Sequence, residues 1–425
     1  MNISRFFTCV VLIAFALAAN AEFKAGVAVR DVTPDKLLPI SGGTGPSVMP
    51  TKQQGNLTVR ALVLEDDDTR IAIVGADFLG FPHALGDRVR TQVKDIPAEN
   101  ILIGVTHVHS APDMYAFPDG KGGTEADLDY IDSVCDRMAE AINEASANTQ
   151  PAAVKINTGE AADGIAWNSY APRLYDPRCH VIQVLDADGE PMSTLVNFAI
   201  HPEILSTDSR ILSPDLCGPF YERIAANGGG TAIFMNSAQG AMVTADNRIE
   251  GSREERYTWE ECERIGNLLA DEALRIIADA PVQEDPDLYC ASTRITFPIE
   301  SGILDLVKNS PVMIDMLEPG DKVSCQFNVV NLGNAQIITI PGEALPNIGS
   351  YFKRKMHGDH NLVFGLTNDA FGYILVKEDY YAYDVYNYVS RTSLGEKTGD
   401  ILVEEGMKFI DSCDQPAKLE TASAQ

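Results

Sequence analysis

The sequence has 425 residues and is 45% hydrophobic, a content that is ordinary for a globular protein with a large core. Its formal net charge of -28 repels nucleic acids and anionic membrane surfaces, so neither is an expected partner.

Residues 1–21 have the pattern of a cleavable secretory signal peptide. Arg5 supplies a positive charge, residues 6–18 are largely apolar, and Ala19-Asn20-Ala21 is a small-x-small cleavage pattern. The apolar stretch is too short for an anchor, and no later segment is apolar for long enough to span a bilayer. We therefore expect a secreted or periplasmic protein without a stable membrane anchor. One domain is expected over residues 22–415, followed by a flexible tail over 416–425.

Short β-branched runs alternate along the chain with amphipathic helical patterns. Strands are predicted over residues 70–77, 101–106, 193–200, 231–236, 335–340 and 361–366, and helices over 126–145, 254–280 and 345–356. Residues 287–330 are less regular and could form a hairpin, a lid or a small insertion. Near-continuous apolar runs are typical of strands that are buried on both faces. The order of elements predicts an α/β fold with a mixed, largely buried β-sheet, or sheets, flanked by helices.

Polar residues stand at or just after the ends of these strands. They are Asp77, His107, His109, His201, Asn236, Glu343 and the loop after Leu366. Because ligands of α/β folds bind at the carboxyl ends of the strands, we expect the active site at this rim.

Three histidines and a glutamate at this rim suggest a metal site. His107 and His109 are two residues apart at a strand end, so both side chains are expected on one face. His201 precedes Pro202 after another buried strand, and Glu343 has a comparable location. Catalytic zinc takes about three nitrogen or oxygen ligands and leaves one position open. Each residue also has a plain structural interpretation: a polar strand end, a hydrogen-bonded histidine, or a glutamate in the first turn of a helix.

The remaining histidines and the cysteines point to no further site. We interpret His83, His180, His357 and His360 as surface or structural residues. The seven cysteines after the signal form no CxxC pair, so they are poor candidates for zinc ligands. Export permits disulfides, and one to three are expected, although the spacings do not give the pairing.

A zinc ion at this rim would bring the pKa of a bound water to about 7, which makes it a nucleophile at neutral pH. His109, beside the metal, would suit proton transfer or stabilisation of a tetrahedral oxyanion. The reaction class that follows is hydrolysis of an amide or ester.

Five short motifs, in order, resemble those of the catalytic domain of the neutral, non-lysosomal ceramidase family, over about Phe23 to Ser412. The motifs are Ala25-Gly-Val-Ala-Val-Arg-Asp-Val-Thr-Pro34, Thr106-His-Val-His-Ser-Ala-Pro112, Asn197-Phe-Ala-Ile-His-Pro202, Pro341-Gly-Glu343, and Asn368-Asp-Ala-Phe-Gly-Tyr373 with Glu378-Asp379-Tyr380 after it.

The resemblance implies one zinc ion per chain, bound by His107, His201, Glu343 and Tyr373. It makes His109 the catalytic histidine that faces the scissile bond. It further implies hydrolysis of an N-acyl amide in sphingolipid metabolism, with a metal-activated water as the nucleophile.

The chain also departs from the family. The loop that bears a functional serine in the family corresponds to Gly240-Ala-Met-Val-Thr-Ala245 here, with Val243 in the place of the serine. Within that loop we predict Gly240 and Thr244 as substrate-binding residues. Ser169 stands where the family has an arginine, and we expect no counterpart of the family's C-terminal β-domain. Two alternatives follow: a zinc hydrolase of a non-lipid amide or ester, or a degenerate, non-catalytic exported binding protein.

Overall fold

The computed structural model describes residues 23–66, 69–249 and 254–419. The predicted signal peptide and most of the predicted tail lie outside the described residues. Within the described ranges, no helix is both long and apolar enough to cross a membrane.

The described residues form strands, α-helices and short 3-10 segments in alternation. The strands are β1 Lys24–Asp31, β2 Ile40–Ser41, β3 Lys52–Gln53, β4 Thr58–Asp66, β5 Thr69–Ala76, β6 Ile101–Val105, β7 Ala111–Pro112, β8 Gln150–Glu160, β9 Ala166–Asn168, β10 Arg178–Asp186, β11 Pro191–Phe198, β12 Ile211–Leu212, β13 Thr231–Asn236, β14 Val243–Ala245, β15 Val282–Gln283, β16 Leu288–Pro298, β17 Lys322–Leu332, β18 Ala335–Thr339, β19 Glu343–Ala344, β20 His360–Phe364 and β21 Tyr373–Ile374. The α-helices are α1 His83–Arg90, α2 Leu128–Ala147, α3 Cys217–Ala226, α4 Trp259–Ile277, α5 Ile303–Asn309, α6 Pro346–Lys355, α7 Asn387–Arg391 and α8 Thr398–Ser412. The 3-10 segments are Ala98–Asn100, Met313–Met316 and Asp384–Tyr386.

The larger sheet is mixed and runs in the order β13-β11-β10-β8-β1-β4-β5-β6, with β15 added beside β8. Its outer pairs, β11 with β13 and β5 with β6, are parallel, and the strands between them pair antiparallel. The two ends of the sheet curl towards each other, so that β13 contacts β5 and β6. Gly75 and Gly104 allow this approach, because a Cβ on either would lie within 2.8 Å of atoms of β13.

The second sheet has the order β16-β17-β18-β20 and packs face to face on the first. Successive residues of its strands pack into two different hydrophobic cores. Ile337 packs between the sheets, whereas Ile338 packs on the outer face. The first sheet shows the same alternation at Leu62 and Val63. Both faces of both sheets are therefore apolar, as the predicted buried strands require.

Helices cover the two outer faces. α2 packs on β1 and β4, α3 and α4 pack on the other half of the larger sheet, and α6 and α8 pack on the second sheet. The result is a four-layer arrangement of helices, sheet, sheet and helices. The predicted α/β fold with mixed, largely buried sheets flanked by helices is confirmed.

The irregular segment predicted over residues 287–330 is a hairpin. β16 and β17 pair antiparallel along eleven residues each, and α5 with the segment Met313–Met316 forms the connection between them.

The expectation of disulfides is not met. Cys135, Cys179, Cys217, Cys262, Cys290, Cys325 and Cys413, all within the described residues, have free thiols. Five of the seven are buried, where cysteine packs as a small apolar side chain.

Candidate functional site

His107 follows β6 in a strained backbone conformation. Its φ of 71° lies in the left-handed region, which non-glycine residues adopt rarely and mostly at functional sites. Its ring Nδ1 donates a hydrogen bond to the carbonyl oxygen of Leu79 at 2.5 Å, and Nε2 lies 3.4 Å from Glu343 Oε2. His107 and His109 were predicted to share a site because they lie on one face of a strand. The structure brings them together differently, because the chain turns at His107.

His201 is held in the same manner after β11. Its backbone NH and its ring Nδ1 both donate to the carbonyl oxygen of Val243, at 2.8 Å and 2.7 Å. Its Nε2 lies 3.1 Å from Glu343 Oε2. Histidines that bind metals in proteins are oriented by such a hydrogen bond from the other ring nitrogen.

Glu343 and Tyr373 are neighbours on adjacent strands. β19 and β21 pair in parallel with Glu343 opposite Tyr373, and both side chains are buried. Burial raises the pKa of Glu343, but the charge of His107 and the hydrogen bonds from His107 and His201 outweigh it and lower this pKa. Burial and the charge of Glu343 raise the pKa of Tyr373 well above its ordinary value.

Asn236 joins the backbone segments that carry His107 and His201. Its side-chain amide donates to the carbonyl oxygens of Thr106 at 3.0 Å and Ile200 at 2.7 Å, the residues directly before the two histidines. Its side-chain oxygen accepts hydrogen bonds from the backbone NH groups of Ile200 and Ser237. The predicted rim residue Asn236 thus fixes the separation of two candidate ligands. Asp77, by contrast, lies outside the site, where Thr58 and Tyr221 donate hydrogen bonds to it.

His109 completes the group that we call the histidine site: His107, His109, His201 and Glu343. Its ring centroid lies 4.8 Å from that of His107 and 5.7 Å from that of His201. Its Nδ1 is 3.7 Å from Glu203 Oε2, whereas its buried Nε2 has no hydrogen-bond partner among the described residues. Burial, followed by the charges of His107 and His201, lowers the pKa of His109 well below its ordinary value.

The donor set of this site fits a metal ion. One donor nitrogen from each of the three histidines lies within 4.8 Å of the other two, and the Glu343 carboxylate adds an oxygen. Neutral imidazoles with a carboxylate are the ligands of catalytic zinc.

The histidine site opens into an apolar cavity. His107, His109, Glu343, Asp369 and Tyr373 are among its polar lining residues. The β16–β17 hairpin supplies much of the apolar wall through Ile299, Ile303, Leu306, Val307, Met313 and Met316.

Neither of the predicted substrate-binding residues lines this cavity. Gly240 is buried behind Glu343, and its NH donates to the carbonyl oxygen of Ala344 at 3.0 Å. Thr244 lines an adjoining groove together with Ser169 and Glu203. The roles of Gly240 and Thr244 stay predictions.

The other four histidines lie away from the histidine site. His180 and His360 both contact the Thr158 hydroxyl, His357 faces Asp411, and His83 contacts Asp369.

Two residues at the site, Glu203 and Tyr388, were not predicted from the sequence. Glu203 approaches His109, and its place two residues after His201 was an available signal. Tyr388 lines the cavity and packs its ring 5.8 Å from that of Tyr373, a contact that no local pattern indicates.

Fold and site together define an α/β protein with three histidines and a carboxylate at one end of an apolar cavity. No family model and no curated protein sequence matches the chain. Among solved structures, it is similar to a neutral ceramidase from Pseudomonas aeruginosa, with a TM-score of 0.75 and 16% identity over 95% of this chain and 77% of that one. A ceramidase complexed with C2 matches with a TM-score of 0.74 and 15% identity over the same shares. The chain therefore has the neutral ceramidase fold, and the resemblance expected from the five motifs is confirmed at the level of the fold.

Proposed function

We propose that this protein is a ceramidase-like, zinc-dependent hydrolase of N-acyl amide bonds with one catalytic zinc ion. The observation that carries the proposal is the histidine site at one end of an apolar cavity. The neutral ceramidase fold supports the same reaction class.

The proposed ligands are His107, His201, Glu343 and Tyr373. Leu79 and Val243 fix the two imidazoles with Nε2 directed at Glu343, so these donors are oriented before any ion binds. A zinc ion there would supply a Lewis acid and a water of lowered pKa.

His109 is the proposed catalytic histidine. Its Nε2 has no hydrogen-bond partner among the described residues, and its ring lines the cavity. Glu203 lies on the Nδ1 side of the ring and can orient it. The free nitrogen is therefore available to hold or deliver a proton at the scissile bond.

The cavity supports an acyl chain as one part of the substrate. Seven side chains of the β16–β17 hairpin and its connection, Val323 included, give it an apolar wall, and burying each CH₂ group of an acyl chain there contributes about 0.8 kcal/mol. A small polar amide would gain little from such a wall, so the geometry favours the lipid substrate over a non-lipid one.

Val243 is compatible with this function in spite of its apolar side chain. That side chain is fully buried, and the residue acts through its carbonyl oxygen, which orients His201. The family's serine hydroxyl has no counterpart at this position. Thr244, which lines a groove together with Glu203, is the proposed substrate contact nearby. The signal-peptide pattern of residues 1–21 supports a secreted or periplasmic location.

The test is fatty-acid release by the purified protein from a panel of N-acylsphingosines, simple N-acyl amides and matched esters. We expect amide cleavage that a chelator abolishes and zinc restores. The His107→Ala variant should lose activity together with the zinc ion of the histidine site, whereas His357→Ala, at a partly exposed histidine outside the site, should keep both. Full activity of His107→Ala would refute the metal site, and zinc-dependent cleavage of esters alone would refute the amide substrate.

A further inference from the structure

A second cluster of metal-type side chains lies outside the histidine site. His83 at the start of α1, Cys325 in β17 and Asp369 in the loop after β20 are all buried. His83 Nδ1 lies 2.6 Å from Asp369 Oδ2, and the Cys325 thiol donates a hydrogen bond to the same oxygen at 3.1 Å. One donor atom from each residue lies within 4.8 Å of the other two.

We propose that His83, Cys325 and Asp369 form a second metal site, which takes Zn²⁺ or a similar transition-metal ion. Thiolate, imidazole and carboxylate are all zinc ligands, with bond lengths of about 2.0–2.3 Å. Tetrahedral ligands at those lengths stand about 3.3–3.7 Å apart. The observed separations of 2.6 Å and 3.1 Å from Asp369 Oδ2 are slightly shorter, so a small withdrawal of this side chain admits the ion.

The surroundings hold the donors in place. Asp369 Oδ1 accepts hydrogen bonds from the backbone NH groups of Ala370 at 2.8 Å and His83 at 3.4 Å, which turns Oδ2 towards the other two ligands. His83 and Cys325 belong to a helix and a strand, which are rigid supports.

The charge balance also allows the ion. When a divalent cation binds, the Cys325 thiol and Nδ1 of His83 each give up a proton to solvent, which leaves a thiolate, a neutral imidazole and a carboxylate as ligands. A divalent cation with one thiolate and one carboxylate is neutral, so the buried cluster gains no net charge.

Asp369 connects this cluster to the apolar cavity. The residue lines the cavity, which gives an ion a route to the site and leaves room for a water as the fourth ligand. Asp369 lies four residues before Tyr373, so a bound ion would also fix the loop that carries this proposed ligand.

The test is a Co²⁺ titration of the metal-free full chain, read by absorbance and with zinc content measured in parallel. A thiolate–cobalt charge-transfer band can come only from a site with a cysteine ligand, and the histidine site has none. We expect the band in the wild type and in His107→Ala, and we expect Cys325→Ser to abolish it.

The matched control is Cys290→Ser, at a partly buried cysteine elsewhere in the second sheet, which should keep the band. Zinc content should fall from two equivalents to one in Cys325→Ser and in Asp369→Asn, with native circular dichroism in each. No band in the wild type, or a band that survives in folded Cys325→Ser, would overturn the proposal. Failure of the histidine site alone would instead leave the band and one equivalent of zinc.

Discussion

Gly240→Ala should weaken metal binding although residue 240 is no ligand. The added Cβ would lie 2.4 Å from the carbonyl oxygen of Glu343, and contacts under 3.0 Å essentially never occur. β19 must therefore move by at least about 0.6 Å, whereas metal–ligand distances tolerate about 0.2 Å. We expect a loss of zinc affinity of about 10- to 100-fold, typical of residues that support a ligand. The free energy of unfolding should fall by about 1–3 kcal/mol, as is typical when a core is overpacked.

Isothermal titration calorimetry of the metal-free protein with zinc measures the loss of affinity. A second glycine variant distinguishes this loss from a general loss of stability. In Gly26→Ala the Cβ would lie 2.1 Å from the carbonyl oxygen of Ala145, far along the chain from the site. That variant should lose stability but keep its zinc affinity. Equal zinc affinity for Gly240→Ala and the wild type would refute the inference that the Gly240 loop sets the position of Glu343.

Three further variants test other parts of the structure. Asn236→Asp removes the amide donor to two buried carbonyl oxygens. We expect the free energy of unfolding, measured with denaturant, to fall by about 3 kcal/mol and zinc binding to weaken. Unchanged stability and zinc affinity would show that the amide does not position the histidines. Lys353→Met removes the buried partner 3.0 Å from Asp176 and should lower the free energy of unfolding by about 1–3 kcal/mol in the same assay, because Arg178 still pairs with this carboxylate; an unchanged free energy would contradict this. Val307→Trp adds bulk to the cavity wall and should lower kcat/KM for long acyl chains by at least about 10-fold relative to short ones. Ile314→Trp, at an exposed position of the same connection, should leave the chain-length preference unchanged, and equal effects of the two would exclude the cavity as the acyl site.

Apolar patterning predicted α2, α4, α6 and six of the buried strands, whereas α3, α8 and the long strands β4, β8 and β10 were not among the predicted elements. α2, for example, presents its apolar residues at helical spacing and begins at Asp127, whose side chain accepts a hydrogen bond from the NH of Tyr130. The stacking of two sheets was not predictable in the same way. Residues such as Ile337 and Ile338 are equally apolar, so the pattern cannot assign them to different layers.

The site residues were predictable to the extent that they follow strands or match motifs. His201 and Glu343 follow predicted strands, whereas Tyr373 was suggested only by the resemblance. The backbone carbonyls that orient the histidines left no signal in the sequence, because any residue supplies a carbonyl oxygen. Val243 illustrates this, since its contact with His201 spans 42 residues and is independent of its side chain.

The most direct test of the central claim is a zinc titration of the chelated protein, with fatty-acid release from an N-acyl amide measured at each zinc-to-protein ratio. We expect no release without metal and a return of activity that requires His107, His201 and Glu343. Amide hydrolysis that proceeds at the full rate in protein shown by mass spectrometry to hold no metal would contradict it.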